Sequence, residues 1–486
     1  RRMIMGVLDN KEPKKVFSFF EEIAAIPHGS GNVEQISNYL VDFAKKRNLK
    51  YRQDEKLNVI IWKDASTGYE KTEPVILQGH MDMVAVKTAD CSKNMEMEGL
   101  DLEVNGDMLS AKGTSLGGDD AIAVAYALAV LDSDEIKHPP IEAVFTVDEE
   151  IGLLGAEFID VSDLKGKKLL NMDSEDEGIF TVSCAGGATV ECLLSFNTEP
   201  INAKVIEIRI DGFSGGHSGS EIHKQRANAN CIMGRILLNV FQNAGMRIIA
   251  INGGEKDNAI PKFCEAAIAV NPEVVDKVKD IIEKTFEEVK EEYKTTDPNA
   301  SILTNVMPDN MYEALSGPAT LYTIITLVNM PDGVQRMNPD IPDMVQTSLN
   351  LGILRTEKNA VKLSYSVRSS KESEKRFLIE KLRSLTEIFG GQVNVHGEYP
   401  GWEYKEDSKL RDVAVAAYKE LYFKEPVVEG IHAGLECGLF AGKIKDLDAI
   451  SFGPDIENIH TTNEELSILS TERTWKLLLK ILEMLK

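Results

Sequence analysis

Apolar residues first recur with helical spacing over 14–26, where Val16, Phe17, Phe19, Phe20 and Ile23 share one stripe. Pro27 and the loop His28-Gly29-Ser30-Gly31 end that element. A second helix is expected over about 33–47. Short apolar runs then predict strands at 57–63, 74–80, 141–147 and 168–173, with a helix at 119–132 between two of them. Strand–helix–strand alternation of this kind indicates an α/β layer architecture. After Gly186-Gly187 the texture changes. Residues 190–196 and 204–211 alternate like half-buried strands, 225–242 reads as helix, strands follow near 246–251 and 263–270, and 273–293 is a charged helix. A similar order recurs as strands at 345–353 and 360–367, a helix at 371–389 and a strand at 392–397. It suggests a weak internal duplication, although no repeat is visible residue by residue. From 408 the α/β texture returns, with a helix at 408–422, a buried strand at 449–453 and an amphipathic helix at 470–485. The expected division is a discontinuous α/β domain, 1–186 with 398–486, carrying an inserted α+β domain at 187–397 as a lid or dimerisation module.

A chain of 486 residues exceeds what one hydrophobic core normally holds, which agrees with two domains. The net charge of −24, with no compensating basic stripe, argues against nucleic acid or an anionic membrane as partner. It is compatible with carboxylates arranged around cations. The apolar runs are too short to span a bilayer. Arg1-Arg2-Met3-Ile4-Met5 is a basic start that no signal-peptide core follows. The six cysteines (91, 184, 192, 231, 264 and 437) contain no CxxC pair, which suits a reducing cytoplasm rather than a disulfide framework.

The chemistry gathers where apolar runs stop. Val75-Ile76-Leu77 leads into Gln78-Gly79-His80-Met81-Asp82, and side chains two apart on a strand point to one side. His80 and Asp82 can therefore aim at one point just past a strand end, where open α/β sheets place ligands. Alone, the pair is better read as hydrogen-bonded structure. Gly117-Gly118-Asp119-Asp120 opens an Ala-rich helix, where an Asp commonly caps the N-terminus. Asp148-Glu149-Glu150 abuts a buried strand, a clustering that costs repulsion and desolvation unless a cation or proton offsets it. Asp173 follows Leu169-Leu170-Asn171-Met172, and Ser451-Phe452-Gly453 runs through a loop to His460. Two histidines and several carboxylates at strand ends match what zinc accepts, and suffice for two ions sharing one carboxylate. Glu149 or Glu150 could stay off the metal as general base on the attacking water.

The set GHMDMV, GGDDAIAVA, DEE, NMDSED and the late NIH resembles the M20 metallopeptidase family, and HMDMV its aminoacyl-histidine dipeptidase branch. The resemblance runs the length of the chain. It implies a di-zinc aminopeptidase-like α/β catalytic domain with an inserted α+β lid or dimerisation domain. By that resemblance His80, Asp119 and Asp173 hold one divalent ion, and Asp119, Glu150 and His460 hold a second. Zinc is the expected ion, with cobalt or manganese as alternatives. Asp82 would orient His80, Glu149 would be the base, and Asp120 would be a capping neighbour. Gly215-Gly216-His217-Ser218-Gly219 resembles the family's lid histidine loop, and Asn258-Ala259-Ile260-Pro261 the turn that follows it. His217 would then stabilise the oxyanion. Arg368 would clamp a substrate carboxylate, and the His432–Gly438 loop would contact the dipeptide's termini, with Glu436 at the free amino group. His28, His138, His223 and His396 have no motif context. The expected function is dipeptide hydrolysis, of Xaa-His and broader type, by a cytoplasmic homodimer. An aminotripeptidase or an N-acyl amino-acid deacylase on the same scaffold is the alternative.

Overall fold

The computed structural model describes residues 6–486; the basic stretch at 1–5 lies outside the described residues. The chain forms two compact units. One comprises the chain through Ser183 with Tyr404–Gly430 and Leu435–Lys486; the other comprises Cys184–Glu403 with the short return Ile431–Gly434. That return, which includes His432, falls inside the C-terminal segment that the sequence division kept in the first unit.

The first unit is built on an eight-stranded sheet in the order Lys50–Gln53, Val59–Lys63, Ile141–Thr146, Val75–His80, Lys168–Asn171, Asp448–Ser451, Ile179–Cys184, Val427–Ile431. The four central strands, from Ile141–Thr146 to Asp448–Ser451, are mutually parallel. Every residue of Val75–His80, Ile141–Thr146 and Asp448–Ser451 is buried, as expected of parallel strands covered on both faces. The helix Gly118–Asp132 is apolar around its whole circumference and buried along nearly all of its length. It comes close to the sheet at Gly79, where a Cβ would sit 2.6 Å from both Ala123 Cβ and Asp120 Oδ2. Four parallel strands therefore end at one edge, and each leads into one of the acidic or histidine segments.

The second unit is a nine-stranded antiparallel sheet. Its core gathers residues from the helices Ala229–Ala244, Val275–Glu292, Gly317–Asn329 and Glu372–Ile388 together with alternate strand positions such as Ile206, Ile208 and Ile210. The predicted helix at 225–242 begins at Ala229, because Asn228 Oδ1 caps it by accepting the N–H groups of Asn230 and Cys231. The strand Ser301–Leu315 was not legible: most of its positions are exposed on both faces, so it carries no alternation. Pro308, which has no N–H to give, sits where that strand's register shifts against Ala203 and Val205. No helix among the described residues is long and apolar enough to cross a membrane.

Candidate metal centre

The parallel strand ends bring their polar residues to one place. His80, the last residue of its strand, directs Nε2 to Asp119 Oδ1 at 3.0 Å and to Asp173 Oδ1 at 3.6 Å. The other carboxylate oxygen of Asp119 lies 3.2 Å from His460 Nε2, and Glu150 Oε2 lies 3.0 Å from the same nitrogen. Asp119 thus stands between two histidines. Its neighbour Asp120 accepts the main-chain N–H of His80 at 3.2 Å, and its carboxylate also lies within 4.8 Å of ligand atoms of His80 and Asp173. Neither acid caps the helix with its side chain. The Asp119 and Asp120 torsions are non-helical, and Gly117 before them has φ +67°, a left-handed conformation suited to glycine.

Asp82 holds the far side of the imidazole. Its main-chain oxygen lies 3.0 Å from His80 Nδ1 and its Oδ1 3.4 Å. Asp82 in turn accepts the Ser30 hydroxyl at 2.8 Å and the Glu149 N–H at 3.1 Å. Fixing Nδ1 in this way leaves Nε2 facing Asp119 and Asp173. The preceding residue Asp148, at φ +52°, accepts the Gly31 N–H at 2.6 Å, so the His28–Gly31 loop grips both the Asp82 and the Asp148–Glu150 segments. The sequence places Asp148 in the acidic run but carries no signal linking it, or Asp82, to the loop that contains Ser30 and Gly31.

Two groups of ligand atoms, His80–Asp119–Glu150 and His80–Asp120–Asp173, each lie within 4.8 Å of one another. Ligands at about 2.0–2.2 Å around one tetrahedral zinc are roughly 3.4 Å apart, which the 3.0–3.6 Å spacings here bracket. Glu150 Oε1 is buried without a hydrogen-bond partner among the described residues. Burial pushes the Glu149 and Asp173 carboxyls up, and neighbouring carboxylates push the same way. Burial likewise lifts Glu436 to about 7 and Glu175 to about 8. Its hydrogen bonds to Asp119 and Glu150 lift His460 to about 10. The donor set gathered here, imidazole and carboxylate, is that of a divalent transition metal. The residues fit such ions.

A stability prediction follows from these directions. Acids whose folded pKa is raised stabilise the fold below their ordinary value near 4.5, and that stabilisation is lost as pH rises through the folded value. Raised histidines act in the same sense. Asp82 and Asp119 are lowered, because His80 (with His460, for Asp119) outweighs their burial, so their opposite contribution changes only at more acidic pH. The lowered histidines His28, His138, His217 and His432 act in the opposite sense up to their ordinary value of 6.5, so the melting temperature of chelated protein should fall between pH 6.5 and about 8, and added zinc should restore most at the alkaline end. Calorimetry finding a rise across that window would refute the assignment.

Glu436 is fully buried, its Oε2 accepting from Thr146 Oγ1 at 2.7 Å and Gln78 Nε2 at 2.5 Å, while Oε1 has no partner among the described residues. In the second unit, Gly216-His217 pairs with Ala259-Ile260, joining the two motifs singled out in the sequence. The N–H groups of Gly219 and Ser220 point at His217 Nδ1, at 3.3 and 3.1 Å, which leaves the proton on Nε2. Burial first, then the Arg368 charge, lowers the His217 pKa and keeps the ring neutral. His432 Nε2 meets Ser348 Oγ at 2.7 Å, and burial followed by Arg368 lowers it to about 3. Arg368 is buried, donates to Tyr399 Oη at 2.9 Å, and has no carboxylate partner among the described residues. Where these groups meet, a Cβ on Gly219 would lie 2.9 Å from His217 Cε1 and 3.2 Å from Arg368 Nε.

Peptidase family M20/M25/M40 matches residues 76–484 of this chain. The chain is 34% identical over 482 residues to the cytosol non-specific dipeptidase of Escherichia coli (strain K12), covering 99% of each. Among solved structures, the aminoacylhistidine dipeptidase from Vibrio alginolyticus superposes with a TM-score of 0.93 at 34% identity, with 98% of each chain covered. The aminopeptidase PepT from Bacillus cereus ATCC 10987 shares the fold, with a TM-score of 0.56 at 16% identity over 98% of this chain and 99% of that one.

Proposed function

The chain belongs to peptidase family M20/M25/M40, and from that premise we propose that it is a metal-dependent dipeptidase, acting on Xaa-His and other dipeptides. The observation that carries the proposal is Asp119 lying between His80 and His460, with Asp173 and Glu150 flanking. His80, Asp119 and Asp173 are assigned to one ion and Asp119, Glu150 and His460 to a second. Zinc is the proposed metal, and cobalt and manganese suit the same donors. Two divalent ions, when bound, polarise the scissile carbonyl, acidify the attacking water and offset the repulsion among these acids.

The chain's own residues do the rest. Asp82 keeps His80 in one tautomer and orientation. Glu149 takes the proton of the attacking water on its carboxylate and returns it to the departing amine nitrogen. His217, with its proton on Nε2, donates to the developing oxyanion. Arg368, buried without a carboxylate of its own, binds the substrate's carboxylate, with His432 beside it. The free Oε1 of Glu436 is assigned to the substrate's ammonium group. Chelated and zinc-reconstituted protein should turn over dipeptides, Xaa-His included. It should discriminate by about 100-fold or more in kcat/KM against N-acetylated dipeptides, because a buried group that recognises an amine is left unsatisfied by an amide. Preference for tripeptides or acyl amino acids would instead assign this scaffold an aminotripeptidase or deacylase activity.

A cytoplasmic homodimer is the proposed form. The edge strand Ser301–Leu315 exposes Leu303 and Met311, the kind of edge that proteins usually cover. Sedimentation at the mass of one chain would refute the dimer.

A further inference from the structure

We propose that Glu464 is a positioning residue of the metal centre, a buried carboxylate that pins the main chain of residues 116–119 and so holds Asp119 facing the two histidines. This rests on the two-metal reading above. Four consecutive main-chain N–H groups converge on the side chain. Those of Leu116 and Gly117 reach Oε2 at 2.9 Å each, and those of Gly118 and Asp119 reach Oε1 at 2.7 and 3.4 Å. Glu464 is 3% exposed and has no Lys, Arg or His partner among the described residues. A carboxylate buried without a cation is costly, and these N–H groups are what compensates it.

The segment 116–119 lies ahead of the regular helix, since Asp119 and Asp120 have non-helical torsions, and its buried N–H groups need acceptors. Asp119 supplies none, because both its oxygens lie against imidazole nitrogens, at 3.0 and 3.2 Å. Glu464 accepts all four. The glycines make the grip possible. A Cβ on Gly118 would lie 3.3 Å from Glu464 Oε1, and one on Gly117 would lie 2.7 Å from Met83 Sδ. Glu464 also follows His460 by four residues, within a turn closed by Asn463 N–H to Thr461 Oγ1 at 3.1 Å. One side chain thereby ties the segment carrying Asp119 to the segment carrying His460.

Glutamine is the discriminating replacement. It has the same shape, but its amide group would turn donors toward two of the four N–H groups. Full-length protein, chelated and then titrated with cobalt(II), should show two equivalents bound in the wild type. In Glu464→Gln, circular dichroism should be unchanged while cobalt affinity weakens about 10–100-fold, the range seen when a ligand's support is removed. The visible cobalt bands should change with it, and kcat should fall with KM little altered. Gly118→Ala, which crowds Oε1 without removing it, should move affinity in the same direction by less, and it decides the matter if Glu464→Gln does not fold. Folded variants with wild-type cobalt isotherms and spectra, whatever their melting temperatures, would overturn the role. The wild-type isotherm separately tests the two-metal reading: fewer than two equivalents would remove that reading and this inference together.

Discussion

Glu149→Gln is expected to bind two equivalents of zinc with near wild-type affinity and to hydrolyse dipeptides about 10²–10⁴-fold more slowly, the usual contribution of a general base. That loss corresponds to about 2.7–5.5 kcal/mol of transition-state stabilisation. The expectation rests on a division of labour within three consecutive acids. Asp148 is committed to the Gly31 N–H, and Glu150 to the His460 side of the cluster. Glu149 is anchored through its main chain, whose N–H donates to Asp82, so its carboxylate remains available. Burial holds that carboxyl above its ordinary range. A glutamine keeps the volume and the main-chain bond but cannot accept a proton. Metal content and kcat measured on the same sample decide the point. A variant that has lost metal would move Glu149 into the ligand set, and one with undiminished kcat would remove it from the chemistry.

The part of this site legible in the sequence was the part that sits on regular elements. His80, Asp173 and the Asp148–Glu150 run follow apolar strands whose lengths are set by burial on both faces, so the strand ends, and hence the chemistry, could be placed to within a few residues. Asp119 was ambiguous for a physical reason: the same residue type caps helices and binds metals, and nothing local distinguishes the two. The distinguishing partner, Glu464, lies 345 residues away in sequence. Ser30 and Asp148 share that difficulty, since their roles exist only through contacts between distant loops. In the second unit, the helix Gly317–Asn329 was passed over although its start was readable. Ser316 caps it, with Pro318 just inside, and an apolar run follows. Its neighbouring strand Ser301–Leu315 could not be read, because period-two alternation requires one buried face and most of this strand has none.

Asp119→Asn and Asp120→Asn should differ sharply although the residues are adjacent and the substitutions identical. Asp120 uses one oxygen to accept the His80 N–H and is so deeply buried that its carboxyl is pushed well above the usual range toward the neutral form. An asparagine supplies the same acceptor in nearly the same volume, so metal content should be retained and kcat/KM should change by no more than about 10-fold. Asp119 uses both oxygens, one toward each histidine, and those two histidines outweigh its burial and hold it ionised, well below the ordinary carboxylate range. Asparagine offers a single oxygen and turns an amide donor toward the other histidine, leaving neither ion with a shared anionic ligand. Zinc content should fall from two equivalents to less than one after dialysis, and activity by roughly 10⁴-fold or more, as when a residue acting as part of a unit is removed. The direct check is elemental analysis and kinetics on the two purified variants, with circular dichroism to establish that both are folded. Equal losses would show that the pair acts together and that the bridge is not Asp119 alone. Retention of two zinc ions by Asp119→Asn would remove the shared carboxylate from the site.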